Sequence, residues 1–93
     1  MSYFVYIVEC NDSTLYTGIT TDIHRRLDEH NNSDKGAKYT KLRRPVKLLY
    51  SETLEDRSSA SKREYVIKKL KRGQKLELIS QDSSKKSHTD HQS

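Results

Sequence analysis

The first twenty residues constrain this chain more than any other stretch. Residues 3–9, YFVYIVE, and 15–19, LYTGI, are two β-branched and aromatic runs joined by the five residues CNDST. Both runs have strand composition. Asn11, Asp12 and Ser13 favour a tight turn, because their short polar side chains hydrogen-bond the local backbone. A parallel crossover needs a dozen or more residues, so a link this short forces the two strands into an antiparallel hairpin.

The rest must cover that hairpin. Thr21 or Asp22 can cap a helix over 22 to about 31, closed by NNSDKG. Residues 37–44, AKYTKLRR, form a basic segment with room for one helical turn. Pro45 ends it, and VKLLYSETL, 46–54, reads as a third strand. Asp56 or Ser58 caps a long helix, SSASKREYVIKKLKR, predicted to stop at Gly73, and QKLELIS adds a short last helix. The order is strand, strand, helix, strand, helix, helix, an α+β domain over residues 1–79. From Ser80 to Ser93 there is no apolar residue, which predicts a disordered polar tail.

Composition narrows the function classes. Only 31% of the 93 residues are hydrophobic, six of the seven aromatics are tyrosine, and the net charge is +5 with a pI of about 9.4. A basic balance favours anionic partners, nucleic acid above all. The single cysteine, Cys10, rules out an intrachain disulfide and fits a reducing, cytoplasmic location. YFVYIV is too short to span a membrane, and the N-terminus lacks the pattern of a signal peptide. There is no Gly-rich phosphate loop, and His88 and His91 have no cysteine pair or third ligand to make a zinc site.

The first predicted helix carries the oddest feature. At about 100° per residue, with Ile23 at zero, Leu27 falls near 40°, His30 near −20° and Arg26 near −60°. Arg26 and His30 thus share the face that Ile23 and Leu27 turn inward, while Arg25 and Asp28 point away. Burying an unpaired charge is costly, so this face needs a polar partner or cleft. The plainer alternative is an arginine snorkelling past the core edge beside a satisfied histidine. On the later helix, Ala60, Val66, Ile67 and Leu70 form an apolar stripe with Glu64 at its edge. Glu64 is the only acid between Lys62 and Lys75, among seven basic residues. It fits an i, i+4 pair with Lys68 or a carboxylate free to hold a hard divalent cation. Tyr6 and Tyr16 can share one side of the hairpin, and Gly18 marks a bulge or a close approach. Lys38, Lys41, Arg43, Arg44 and the interleaved Tyr39 make a candidate phosphate-tracking segment with a stacking aromatic.

FVY at 4–6, YTG at 16–18, Arg26, His30 and a lone glutamate on a later helix together resemble the GIY-YIG nuclease domain. The match runs over about residues 3–79 and is nearest to the small stand-alone bacterial YhbQ/YazA-like members, where GAKYT…RRPV and REYVIKKL segments also occur. The resemblance implies a three-stranded antiparallel sheet flanked by helices and Mg²⁺- or Mn²⁺-dependent cleavage of phosphodiester bonds in DNA, structured or damaged forms among the candidate substrates. It implies a catalytic set of Tyr6, Tyr16, Arg26, His30 and Glu64, with Glu64 on the metal. Arg26 would neutralise phosphoryl charge, and Tyr6 or Tyr16, its pKa lowered by Arg26 or the metal, would activate water. Gly18, Lys38, Tyr39, Lys41, Arg43 and Arg44 would contact substrate. The first motif reads Phe-Val-Tyr rather than Gly-Ile-Tyr, and the second Tyr-Thr-Gly. The chain has no room for an added DNA-binding domain, so weak substrate binding is expected. The alternative is a nucleic-acid-binding module on the same fold, without catalysis.

Overall fold

The computed structural model describes residues 2–91, with side chains as far as residue 81. Seven elements follow in order: β1 (Tyr3–Glu9), β2 (Leu15–Thr20), α1 (Ile23–Asn32), α2 (Lys38–Lys41), β3 (Lys47–Leu54), α3 (Arg57–Lys69) and α4 (Arg72–His91). The strands make one antiparallel sheet in the order β2-β1-β3. The hairpin turns through Ser13 at φ 70°, with the Asp12 carboxylate accepting from both the backbone and the hydroxyl of Thr14. The predicted α+β order therefore holds, and the helical turn allowed for the basic segment is α2.

Strand β1 is buried on both faces, which is why it reads as a continuous apolar run rather than an alternation. Val5 and Ile7 face Ala60 and Ile67 of α3, with Leu78 and Ile79 of α4 added at the margin. Tyr6 and Val8 face the other way, with Cys10 and Val46, and meet Leu27 of α1. Helices thus cover both sides of a three-stranded sheet. A fork from Arg63 to both carboxylate oxygens of Glu52, at 2.8–3.0 Å, fastens α3 to β3. Bidentate geometry of this kind adds direction to the attraction.

Asp22 and Asp56 are the N-caps of α1 and α3, accepting from the N–H of Arg25 and Ser59. Three expectations about the second half change. Helix α3 ends at Lys69, with Leu70 as an extended C-cap, so Gly73 does not stop it. Gly73 lies in the first turn of α4, which no nearby proline obstructs. Val66 is 48% exposed, because at its angle it points between the sheet and solvent rather than along the line of Ala60 and Ile67. The segment 80–93, predicted as a disordered tail, continues α4 as far as His91, and residues 92 and 93 lie outside the described residues. No glycine or proline follows Gly73 to break it, and its start is anchored by Leu78 and Ile79.

Candidate active site

The two tyrosines and the histidine meet where the hairpin faces α1. Tyr6 pairs with Gly18 across the β1–β2 ladder and Tyr16 pairs with Val8. Directly paired residues project to the same face of a sheet, so Tyr6, Val8, Tyr16 and Gly18 all look toward α1. His30 reaches down from α1 between the two rings. Its centroid lies 5.8 Å from that of Tyr6 and 5.5 Å from that of Tyr16, both edge-to-face. The helical wheel is confirmed: His30 is fully buried, Arg26 sits partly buried one turn earlier, and Arg25 is exposed.

Gly18 has a specific steric reason. A Cβ there would lie 2.5 Å from the Tyr6 hydroxyl oxygen and 2.8 Å from Cζ. The ring of Tyr6 therefore lies over the bare backbone of Gly18. The strand is neither bulged nor left-handed at this point, so the close approach is made by Tyr6. A second tight contact holds the loop after α1: a Cβ on Gly36 would come within 2.7 Å of the Glu29 carbonyl oxygen.

The hydrogen bonds around His30 fix its protons. The Thr40 hydroxyl donates to the Ala37 carbonyl at 2.9 Å. A hydroxyl has a single proton, so toward His30 Nδ1, also at 2.9 Å, Thr40 accepts. Nδ1 must carry the hydrogen. Burial, and then the nearby positive charge of Arg26, push the His30 pKa down to about 4. At neutral pH the ring is therefore neutral, and Nε2 is left as an acceptor. The Tyr6 hydroxyl, 2.8 Å away, donates to it. The result is a directed chain from Tyr6 O–H to His30 Nε2, from Nδ1–H to Thr40, and from Thr40 O–H to the backbone of α2. Thr40 is fully buried and was not singled out from sequence. A lone threonine in a basic segment carries no signal of its own until α2 folds it against His30.

Burial also raises the Tyr6 pKa to about 12; Arg26 pulls it down and Glu64 pushes it further up, but neither exceeds the burial effect. The expected lowering by Arg26 is thus outweighed. Only 3% of Tyr6 is exposed, so the guanidinium acts on a hydroxyl that has lost most of its water. Arg26 itself donates to Glu29 Oε1 and to the Lys35 carbonyl, each at 2.8 Å. Glu29 was also missed from sequence, because an acid three residues after an arginine usually marks only a helix pair.

Glu64 arrives from α3, near enough to influence Tyr6 but paired with Lys68 at 3.2 Å. Its ion pair is the ordinary helical one, and both partners keep some exposure. No cluster of three or more His, Cys, Asp or Glu that could hold a metal occurs among the described residues. A divalent cation at Glu64 would therefore have one protein carboxylate, with water and substrate oxygens filling its remaining positions, a mode that suits Mg²⁺.

The basic segment divides. Tyr39 stacks on Tyr16, with centroids 5.9 Å apart, and carries the Arg43 guanidinium 4.0 Å from its centroid. Arg43 also pairs with Asp12 at 3.0 Å. Lys38 and Lys41 stay near the surface on α2. Arg44 stands apart from this surface. Its guanidinium donates to the carbonyls of Glu29, His30 and Ser33 and so closes the C-terminal end of α1, where a cation also suits the helix dipole. Asn31 clamps the N–H and C=O of Val46, holding the entry to β3 against the same helix end.

The match to known proteins covers this whole assembly. The model of the GIY-YIG catalytic domain matches residues 2–77. A UPF0213 protein of Desulfotalea psychrophila is 63% identical over 78 residues, covering 84% of this chain and 71% of that protein. One from Staphylococcus epidermidis is 58% identical over 77 residues, covering 83% and 93%. Among solved structures, the UPF0213 protein of Bacillus halodurans superposes with a TM-score of 0.56 at 44% identity, covering 86% of this chain and 84% of that one. A protein of E. faecalis gives 0.57 at 38% identity, covering 100% and 93%. The cluster of Tyr6, Tyr16, Gly18, Arg26 and His30 lies wholly inside the matched span, and the chain belongs to the GIY-YIG family.

Proposed function

We propose that this chain is a metal-dependent endonuclease that hydrolyses phosphodiester bonds in DNA. The observation that carries the reading is the directed chain from Tyr6 through His30 to Thr40, a buried hydroxyl already donating to a neutral imidazole. Such an arrangement accepts a proton at a defined atom, as nucleophile activation requires. Tyr16 has no hydrogen-bonded base among the described residues, so Tyr6 is the relay tyrosine and Tyr16 a wall of the cleft.

The magnitudes decide how the relay runs. Burial holds Tyr6 up at about 12 and His30 down at about 4, so both shifts oppose moving the proton in the resting site. Tyr6 is therefore no phenolate beforehand. It gives its proton to Nε2 as it takes one from the attacking water. The water oxygen bonds to phosphorus, the opposite P–O bond breaks, and the proton rests on His30 until it returns to the leaving oxygen or to solvent. Arg26, facing the non-bridging oxygens, neutralises their charge. A phosphate held there also cancels the push of Arg26 on His30, which makes the imidazole a better base as substrate arrives. A cation held by Glu64 would supply Lewis-acid stabilisation of charge on the phosphoryl and leaving oxygens.

The test is cleavage of a panel of single-stranded, duplex, flapped and branched DNAs with Mg²⁺ or Mn²⁺, using Tyr6→Phe and Glu64→Ala purified identically. Loss of cutting in both variants is expected. Equal cutting by Glu64→Ala and parent would overturn the assignment. Salt-dependent binding without any cutting, unaffected by Glu64→Ala, would leave a nucleic-acid-binding module instead.

A further inference from the structure

An open pocket of about 340 Å³ shares Arg26 with the walls around the Tyr6–His30 cluster. Its other walls include Tyr3 from the start of β1, Thr21 and Arg25 from the entry to α1, Glu29, and Arg57 from the first turn of α3. Three arginines and one glutamate therefore line it. Glu29 is shared between Arg26 at 2.8 Å and Arg25 at 3.7 Å. Arg57 makes no ion pair or side-chain hydrogen bond among the described residues. Asp22 and Asp56, the acids next along the chain, are turned to their own helix ends as caps. The pocket lining thus carries excess positive charge, and Arg57 is its one arginine without a carboxylate partner among the described residues.

We propose that this pocket is a second phosphate subsite, which takes a neighbouring backbone phosphate of the nucleic-acid strand whose scissile phosphate lies at Arg26. The proposal rests on the nuclease reading for its ligand. The chemistry favours a phosphodiester strand. Guanidinium forks match phosphate oxygens, the pocket is open to solvent with a volume of about 340 Å³, and Arg26 links the two positions. A strand held this way would run from the Arg57 pocket past Arg26 and Tyr16 toward Tyr39 and Lys38. It would supply contact area that a domain of this size otherwise lacks.

The experiment is fluorescence anisotropy of the full chain with a fluorescein-labelled DNA over a KCl series, comparing Arg57→Gln with Lys62→Gln, a charge removal elsewhere on α3. For Arg57→Gln the affinity should fall about five- to tenfold at low salt, and the slope of log K against log salt should lose roughly 0.7–0.9, the share of one phosphate. Lys62→Gln should leave both near the parent values. The double variant Arg25→Gln/Arg57→Gln should lose roughly twice that slope. If Arg57→Gln behaves like Lys62→Gln while the parent binds and cuts, the pocket proposal is overturned and the nuclease reading stands. If the parent neither binds nor cuts DNA, both fall together.

Discussion

Thr40→Val is the most informative single change in this protein. It keeps the shape of a fully buried side chain and removes one oxygen. The Ala37 carbonyl still accepts from the N–H groups of Thr40 and Lys41, at 3.0 and 3.2 Å, so α2 keeps its backbone bonds. The loss falls on His30 Nδ1, whose partner at 2.9 Å disappears. A net hydrogen bond is worth about 1 kcal/mol, and a buried donor left unpaired costs about 1–3 kcal/mol. The ring can escape part of that penalty by moving its proton to Nε2. Tyr6 would then have to accept from His30 rather than donate to it, and the relay would point the wrong way.

Converted at 1.4 kcal/mol per factor of ten, the tautomer ratio should shift by about five- to a hundredfold, and the cleavage rate should fall within the same range. Unfolding should come about 4–8 °C lower for each kcal/mol lost. The assay pairs single-turnover cleavage with the ¹⁵N shifts of His30, which distinguish Nδ1–H from Nε2–H. Thr40→Ser should restore both. If Thr40→Val keeps the Nδ1–H tautomer and cuts within twofold of the parent, the deduced proton order is wrong.

Other outcomes follow from the same geometry. Because His30 has a folded pKa of about 4 against an ordinary 6.5, the fold favours its neutral form. That stability is complete above pH 6.5 and is lost as pH falls toward 4, by about 3 kcal/mol in all; urea unfolding should show this slope in the parent and lose it in His30→Gln. Gly18→Ala places a methyl 2.5 Å from the Tyr6 hydroxyl; it should cost about 1–3 kcal/mol of stability and impair cutting, read by thermal melts and cleavage together. Arg44→Ala should cost about 2 kcal/mol, since charged hydrogen bonds to the end of α1 are lost, but should change the salt slope of DNA binding less than Lys41→Ala does.

The hairpin, the two main helices and the inward face of α1 were legible because each is set by local rules. Turn composition, period and capping residues decide them within a dozen residues. Arg26 and His30 fell on the apolar face by angle alone, and their misfit with that face was the first sign of a site. What the sequence hid depends on contacts between distant segments. Thr40 gains its meaning only where α2 folds back onto α1, and Arg44 looks like one more surface cation until its guanidinium meets three carbonyls at a helix end. Gly18 was readable as unusual, yet the cause is a ring that lies twelve residues earlier in the chain.

Burial links these observations. A chain with so little apolar material has to use tyrosine and histidine as core, and their polar atoms must then be paired within it. Tyr6, His30 and Thr40 satisfy one another in series, so the same hydrogen bonds that make this part of the core tolerable also set the direction of a proton. The high pKa of Tyr6 and the low pKa of His30 follow from that burial, and under the proposed mechanism they would hold the relay silent until charge arrives at Arg26. In a larger protein the core and the site can be separate. Here, removing either ring would weaken both, and substitutions that keep the shape but change one polar atom, Tyr6→Phe and Thr40→Val, are the ones able to tell chemistry from packing.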